Sequence, residues 1–368
     1  MTTSLSRRAF RRPTALLFAA TLGAASLTAC SSSGDNADGG SNAGSDKETI
    51  QVVASTSIWA DVAQAVVNTA QTDVNIDVHP IVSGNSVDPH HFEPTAADIA
   101  RANEADVIIA GGGGYDAWLY QAVKNQDQII HALPLTAHDH GDHDHGDHEH
   151  GEEHDHAHDE HDHDEHAHDH HDHGEGHDHA HEGETVTMDE AKKIAAEHPE
   201  QVTNIDGNEH VWYDSAAIEK VATDVANLVN EANPEAKATA DPLVERVEGL
   251  KARIEKLPQR NYAQTEPIAD YIFKYTDSTD ATPEGYRKAT VAEGEPTAAD
   301  LAHFLEDIKQ DKIDLLIFNP QTETDMTKRI RTAAEDKNIP VVEIGETPPE
   351  KTNFLDYYEE VVNALEAV

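Results

Sequence analysis

The sequence holds a single cysteine, Cys30, in 368 residues. No intrachain disulfide can form, so ordinary apolar cores must hold the folded part together. Basic side chains are scarce as well: 26 Lys and Arg stand against 71 Asp and Glu, a formal net charge of −45. That balance excludes the electrostatic footprint of a nucleic-acid binder. It suits a cation-handling surface, and equally plain solubility outside a cell. Neither HExxH nor G-x-S-x-G occurs, so the usual signatures of a zinc hydrolase and of a serine hydrolase are missing. The apolar run from Pro13 to Leu27 is too short for a comfortable membrane span.

What that run does fit is export. It follows the basic stretch Ser6-Arg7-Arg8-Ala9-Phe10-Arg11-Arg12 and ends on small residues, the layout of a signal peptide over residues 1–29. Leu27-Thr28-Ala29-Cys30 resembles a bacterial lipobox, which implies that Cys30 is lipidated and becomes the mature N-terminus. Ser6 to Phe10 also resembles a twin-arginine export signal. Residues 30–47, rich in Ser, Gly, Asp and Asn, are expected to be a flexible tether. The protein should then sit on the outer face of the cell membrane, anchored without spanning it.

From Glu48 the pattern alternates. Strands are expected at Ile50–Ala54, Val74–Val82, Ala105–Ala110 and Gln128–Ala132, with helices at Ile58–Val67, Thr95–Asn103 and Trp118–Lys124. Further on, helices are expected at Asp189–Glu197, Ser215–Glu231, Ile268–Tyr275, Ala298–Gln310, Asp325–Asp336 and Phe354–Leu365. Strands are expected at Tyr286–Val291, Ile313–Phe318 and Pro340–Ile344. Between these runs lies Pro234–Leu257, charged and apolar at Leu243, Val247, Leu250, Ile254 and Leu257, which is helical spacing on one face. As one helix it would run about 36 Å, with Pro242 either kinking it or opening a second helix capped by Asp241. The expected fold class is α/β, with two lobes (48–232 and 258–368), each a parallel-sheet sandwich, joined by a long linking helix (233–257). A cleft between two such lobes is where a small ligand sits.

The first lobe is interrupted by residues 138–184, which hold 19 His, 19 Asp or Glu and no Lys or Arg. With no apolar face to bury, this stretch is expected to be a mobile loop. Its imidazoles are His138, His140, His143, His145, His148, His150, His154, His156, His158, His161, His163, His166, His168, His170, His171, His173, His177, His179 and His181. A solvated acidic linker would account for the carboxylates but not for so many His. Interleaved with carboxylates, they offer many two- and three-ligand arrangements to a borderline divalent ion such as zinc.

Seven His lie elsewhere: His79, His90, His91, His131, His198, His210 and His303. Two sit in settings suited to ligation. Asp88-Pro89-His90-His91-Phe92-Glu93-Pro94 places His90 after a strand and before a helix, between prolines that stiffen the turn. Asn208-Glu209-His210-Val211-Trp212 places His210 just beyond the His-rich stretch.

These segments carry a family resemblance. VDPHHFEPTAAD resembles the D-P-H-x-F/Y-E-P-x-x-x-D motif of the zinc- and manganese-specific solute-binding lipoproteins of bacterial ABC transporters. GGGGYDAWL resembles that family's Asn-Gly-x-Gly-x-Glu-x-Trp-Leu segment, and NEHVWYD its D-P-H-x-W-L-D motif, here preceded by a His-rich loop as in zinc-binding members. The resemblance covers Glu48 to Val368. It implies a periplasmic-binding-protein-like fold and a four-ligand metal site between the lobes. The ligands would be His90 and His210 from the first lobe, and Glu266 and Glu346 from the second. Glu293, Glu323 and Asp325 are the competing second-lobe acids. NEH in place of DPH is a departure from the pattern.

The resemblance implies a non-enzymatic receptor, monomeric, that binds Zn2+ and hands it to membrane permease subunits. Two imidazoles with two carboxylates would tilt a site toward the harder Mn2+, while intrinsic affinity and the His-rich loop favour Zn2+. Mn2+ specificity is the alternative, and a surface metal buffer or adhesin is another. Because ligating imidazoles must be neutral, capture should weaken as pH falls below about 6.5.

Overall fold

A computed structural model describes residues 49–84, 92–112, 116–133 and 185–368. These described residues belong to one compact unit. Its elements are β1 (Ile50–Thr56), α1 (Ser57–Val67), β2 (Ile76–Val82), α2 (Ala96–Glu104), β3 (Val107–Ala110), α3 (Ala117–Ala122) and β4 (Ile129–His131). After the His-rich segment come β5 (Thr185–Val186), α4 (Met188–Glu197), β6 (Asn204–Ile205), α5 (Ser215–Ala232) and α6 (Asp241–Ile254). The remainder comprises β7 (Asn261–Gln264), α7 (Asp270–Phe273), β8 (Thr279–Asp280), α8 (Glu284–Val291), α9 (Ala298–Lys309), β9 (Leu315–Phe318), α10 (Asp325–Asp336), β10 (Val341–Glu343) and α11 (Phe354–Glu366).

Two four-stranded sheets result, ordered β2-β1-β3-β4 and β8-β7-β9-β10. All pairings within them are parallel. The same order of first, second, third and fourth strand is thus used twice. In such sheets the connections leave the C-terminal edge in opposite directions on either side of the first strand, which opens a crevice there. Both parallel sheets are covered on both faces, so the inner strands β3 and β9 are apolar throughout rather than alternating. Val107–Ala110 and Leu315–Phe318 are buried at every position.

One face of each sheet feeds a single continuous core. Val52, Ala54 and Ile109 belong to the same cluster as Tyr262, Leu315 and Ile317, together with residues of α1, α5, α6 and α11. The opposite faces have clusters of their own, around Val53, Ile108 and Leu119 in one case and around Ala263, Phe304 and Ile330 in the other. Helix α1 packs on both α5 and α11. Phe354, at the start of α11, is fully buried there, a contribution of roughly 2 kcal/mol for one such side chain. A shared core of this kind resists large hinge motion.

Helix starts are written in local chemistry. Thr95 and Asp98, Thr187 and Glu190, and Thr297 and Asp300 each form reciprocal capping boxes, so the first free N–H groups of α2, α4 and α9 have partners.

Three segments differ from expectation. The expected strand Tyr286–Val291 is helix α8. Pro283 fixes the chain ahead of it, and Tyr286 is its one buried residue, set edge-on against Phe304 with centroids 4.9 Å apart. The central strand of the second sheet is instead β7, Asn-Tyr-Ala-Gln, too short and too polar at its ends to show a periodicity. In the expected linking helix, only Asp241–Ile254 is helical, about 21 Å long. Its axis begins at Pro242, while residues 234–240 run as turn and coil, and Asp241 is the first helical residue rather than a cap. The core face is as expected at Leu243, Val247, Leu250 and Ile254. Between Ile268 and Tyr275 only the single turn α7 is regular. Among the described residues, no helix is long and apolar enough to cross a membrane. The export signal, the tether with Cys30, and the loop 138–184 lie outside the described residues.

Candidate metal site

The second sheet delivers three side chains at the C-terminal ends of its strands. Glu266 follows β7, Asn319 follows β9 and Glu346 follows β10. His210 arrives from the first half of the chain, immediately before the single 3-10 turn Val211–Tyr213 that leads into α5. One ligand atom from each of His210, Glu266 and Glu346 lies within 4.8 Å of the others. Nε2 of His210 is 3.8 Å from Oε1 of Glu266.

The imidazole is oriented by Asn208. Its Oδ1 accepts from the backbone N–H of His210 (2.9 Å) and from Nδ1 (2.7 Å). Its Nδ2 donates to the carbonyl of Pro267 (2.5 Å) and to Oδ2 of Asp270 (2.8 Å). Because the amide nitrogen is committed to two acceptors, the oxygen must face the ring, and Nδ1 must carry the proton. Nε2 is then the nitrogen that would ligate a metal ion. Trp212 packs against the imidazole at 5.1 Å between centroids.

The carboxylates are held with equal care. Oε2 of Glu266 accepts from Nδ2 of Asn319 (2.6 Å) and from the Thr322 hydroxyl (2.5 Å). The same Asn319 amide donates to Oε1 of Glu346 (3.0 Å). Glu346 is flanked by ties to the first half of the chain. The Tyr213 hydroxyl donates to the Gly345 carbonyl (2.7 Å), and the Thr347 hydroxyl donates to the carbonyl of Gly84 (3.1 Å). Burial pushes the Tyr213 phenol well above its ordinary value, so it remains a donor. A Cβ at Gly345 would approach Oε1 of Gln321 to 2.7 Å, so the Gln321 side chain would have to shift.

Behind His210, the Asp214–Lys274 ion pair is buried at 2.7 Å. The Tyr275 hydroxyl donates to Oδ1 of Asp214 (2.6 Å), which also caps α5. The ammonium lies 5.0 Å from the Tyr275 ring centroid. Paired and hydrogen-bonded, these charges fix the turn that carries His210.

His210, Glu266 and Glu346 are therefore brought together, while His90, His91 and the loop imidazoles lie outside the described residues. The other His stand in different settings. His79 pairs with Arg101, His131 stacks obliquely near Tyr120 at 6.4 Å, and His198 and His303 are exposed. The competing acids Glu293, Glu323 and Asp325 line a neighbouring cavity of about 520 Å³ with Glu266 in its wall. Glu323 pairs there with Lys328 at 3.0 Å. Among the described residues, these acids do not join the three-ligand group. Sequence reasoning missed Asn208, Asn319 and Thr322. The NEH departure was the available signal for the first; the other two carried none.

Comparison with known proteins gives the family and the fold. Residues 52–368 match the family model described as zinc-uptake complex component A, periplasmic. Among curated relatives, the metal ABC transporter substrate-binding lipoprotein SsaB of Streptococcus sanguinis is 35% identical over 91 residues, 24% of this chain and 28% of that one. The iron ABC transporter substrate-binding lipoprotein MtsA of Streptococcus pyogenes serotype M1 is 38% identical over 114 residues, 30% of this chain and 33% of that one. The matched stretches thus span a third or less of these relatives' length. The crystal structure of ZnuA superposes with a TM-score of 0.54 at 15% identity, over 87% of this chain and 98% of that chain, which establishes the shared fold. The chain belongs to the zinc-uptake complex component A family of solute-binding proteins.

Proposed function

We propose that this protein is the extracytoplasmic receptor of an ABC importer, which captures Zn2+ between its two sheets and passes it to the permease. The observation that carries the reading is the convergence of His210, Glu266 and Glu346 within 4.8 Å, from a turn in the first half of the chain and two strand ends in the second. His90, between β2 and α2 in the sequence, would complete a set of two imidazoles and two carboxylates. Such a set closes a tetrahedral site and leaves no position for an activated water, as expected of a carrier rather than a hydrolase. Lipidation at Cys30 would keep the receptor beside its permease, and the 19 imidazoles of the His-rich segment would raise the local zinc concentration.

Zn2+ is preferred over Mn2+ on intrinsic affinity for mixed nitrogen and oxygen ligands. Manganese is the second reading, supported by the paired carboxylates, which suit a harder ion. The test is a crystal grown with substoichiometric zinc, with anomalous maps at the zinc edge. One strong peak between His210, Glu266 and Glu346 is the predicted result. Zinc found only on the His-rich segment would overturn the assignment.

A further inference from the structure

Asn319 stands at the centre of the proposed site without being a ligand. It is fully buried. Its backbone N–H donates to the Thr265 hydroxyl (3.1 Å), and its Oδ1 accepts from the backbone N–H of Gln321 (2.9 Å). With the amide oxygen so engaged, its position is fixed and Nδ2 must point at the carboxylates. A primary amide has two N–H donors. Both are used, one on Oε2 of Glu266 (2.6 Å) and one on Oε1 of Glu346 (3.0 Å). Thr322 adds a third donor, on the same Glu266 oxygen (2.5 Å).

We propose that Asn319 is the metal-selecting residue of this site. Together with Thr322 it fills both lone pairs of Oε2 of Glu266 and so restricts that carboxylate to single-oxygen ligation, while its second N–H holds Glu346 in place. The proposal rests on reading His210, Glu266 and Glu346 as metal ligands. Its chemistry follows from coordination number. Zinc is satisfied by four ligands at about 2.0–2.1 Å from nitrogen and oxygen. Mn2+ is a harder ion that prefers more oxygen, in octahedral surroundings. A carboxylate that can swing to present both oxygens supplies the extra ligands, and one tied back through Oε2 cannot. The Glu266 oxygen that faces the imidazole is the other one, Oε1. Asn319 also sets a neutral donor between two neighbouring carboxylates, so the pair is in place before the ion arrives.

The test is competition binding of Zn2+ and of Mn2+ to the full chain, each added at less than one equivalent, for the parent, Asn319→Ala and Glu266→Gln. Outer-shell partners of metal ligands change affinity by about 10- to 100-fold. In Asn319→Ala the preference for zinc over manganese should fall by at least about 10-fold, mostly through tighter manganese binding by the released carboxylates. Equal weakening of both ions would make Asn319 merely structural and overturn the proposal. The Glu266 variant separates the two readings. Tight zinc binding untouched by Glu266→Gln removes the site itself, whereas its loss beside an unchanged preference in Asn319→Ala removes only the selection. A measurement on the parent protein stands whether or not Asn319→Ala folds. X-ray absorption at half an equivalent of zinc should show four nitrogen and oxygen ligands at about 2.0–2.2 Å. Five or six ligands, with paired carboxylate oxygens, would contradict the proposal.

Discussion

The two sheets share one strand order and differ in what they bring to the crevice. The second places Glu266, Asn319 and Glu346 directly at its strand ends, already joined by hydrogen bonds. The first contributes His210 from a turn far along the chain, and that turn is positioned by contacts with the second half. Asn208 reaches Pro267 and Asp270, Tyr213 reaches Gly345, and Asp214 pairs with Lys274. One half thus carries a finished oxygen cradle, and the other carries an imidazole that is set in place by the first. Topology alone explains where the crevice is; the polar contacts across the halves explain why His210, Glu266 and Glu346 face one another.

The largest expected effect breaks that dependence. Lys274→Ala removes one member of a buried pair and leaves Asp214 uncompensated, which should cost about 3–5 kcal/mol. Chemical denaturation of the metal-free protein would measure it. If the halves were independent, the loss would be confined to one of two separate transitions.

A second prediction concerns the first sheet alone. Asp116 accepts from the Ser55 hydroxyl (3.0 Å) and from the backbone N–H of Gly111. Burial pushes its carboxyl up to about 6 from an ordinary 3.8. A raised carboxyl makes the folded protein hold a proton that the unfolded chain has lost, so stability falls as pH rises from about 4 through 6. The penalty at neutral pH is on the order of 2–3 kcal/mol. Asp116→Asn should stabilise the protein at pH 7–8 and leave it unchanged near pH 4, as read from denaturation midpoints at both pH values. A gain of equal size at both would refute the buried-carboxyl account.

Asn208→Ala comes next. It removes the acceptor that orders His210, and zinc affinity should weaken by about 10-fold or more. In ¹⁵N-labelled protein, the His210 ring should lose its preference for the Nδ1–H tautomer; affinity loss without that change would point to a packing effect. The smallest effect is on the surface. Arg253 pairs with Glu366 at 2.7 Å across α6 and α11, and Arg253→Ala should cost at most about 1 kcal/mol because the pair is exposed.

The alternation of strands and helices and the apolar face of α6 were legible in the residue order, since each is a local pattern. The family motif likewise pointed to His210. What was not legible is nonlocal. Strand β7 carries no periodicity of its own and is a strand because it pairs with β8 and β9. Residues 286–291 looked like a strand, but they lie in helix α8, whose single buried residue, Tyr286, meets Phe304. Glu266 and Glu346 were separable from Glu293, Glu323 and Asp325 as candidates only through the family motif, and it is the fold that shows which acids meet His210. Asn319 lies 53 residues from Glu266 and 27 from Glu346, and no pattern in the chain announces that it bridges them.

The central claim is that the tight metal site lies between the sheets and not in the His-rich segment. Its most direct test is zinc competition binding to the protein lacking residues 138–184, alone and with His210→Ala or Glu346→Gln. The account predicts one tightly bound zinc after the deletion, weakened by more than about 100-fold in each point variant, beyond the range of an outer-shell contact. Tight binding that disappears with the segment and ignores both point variants would contradict it.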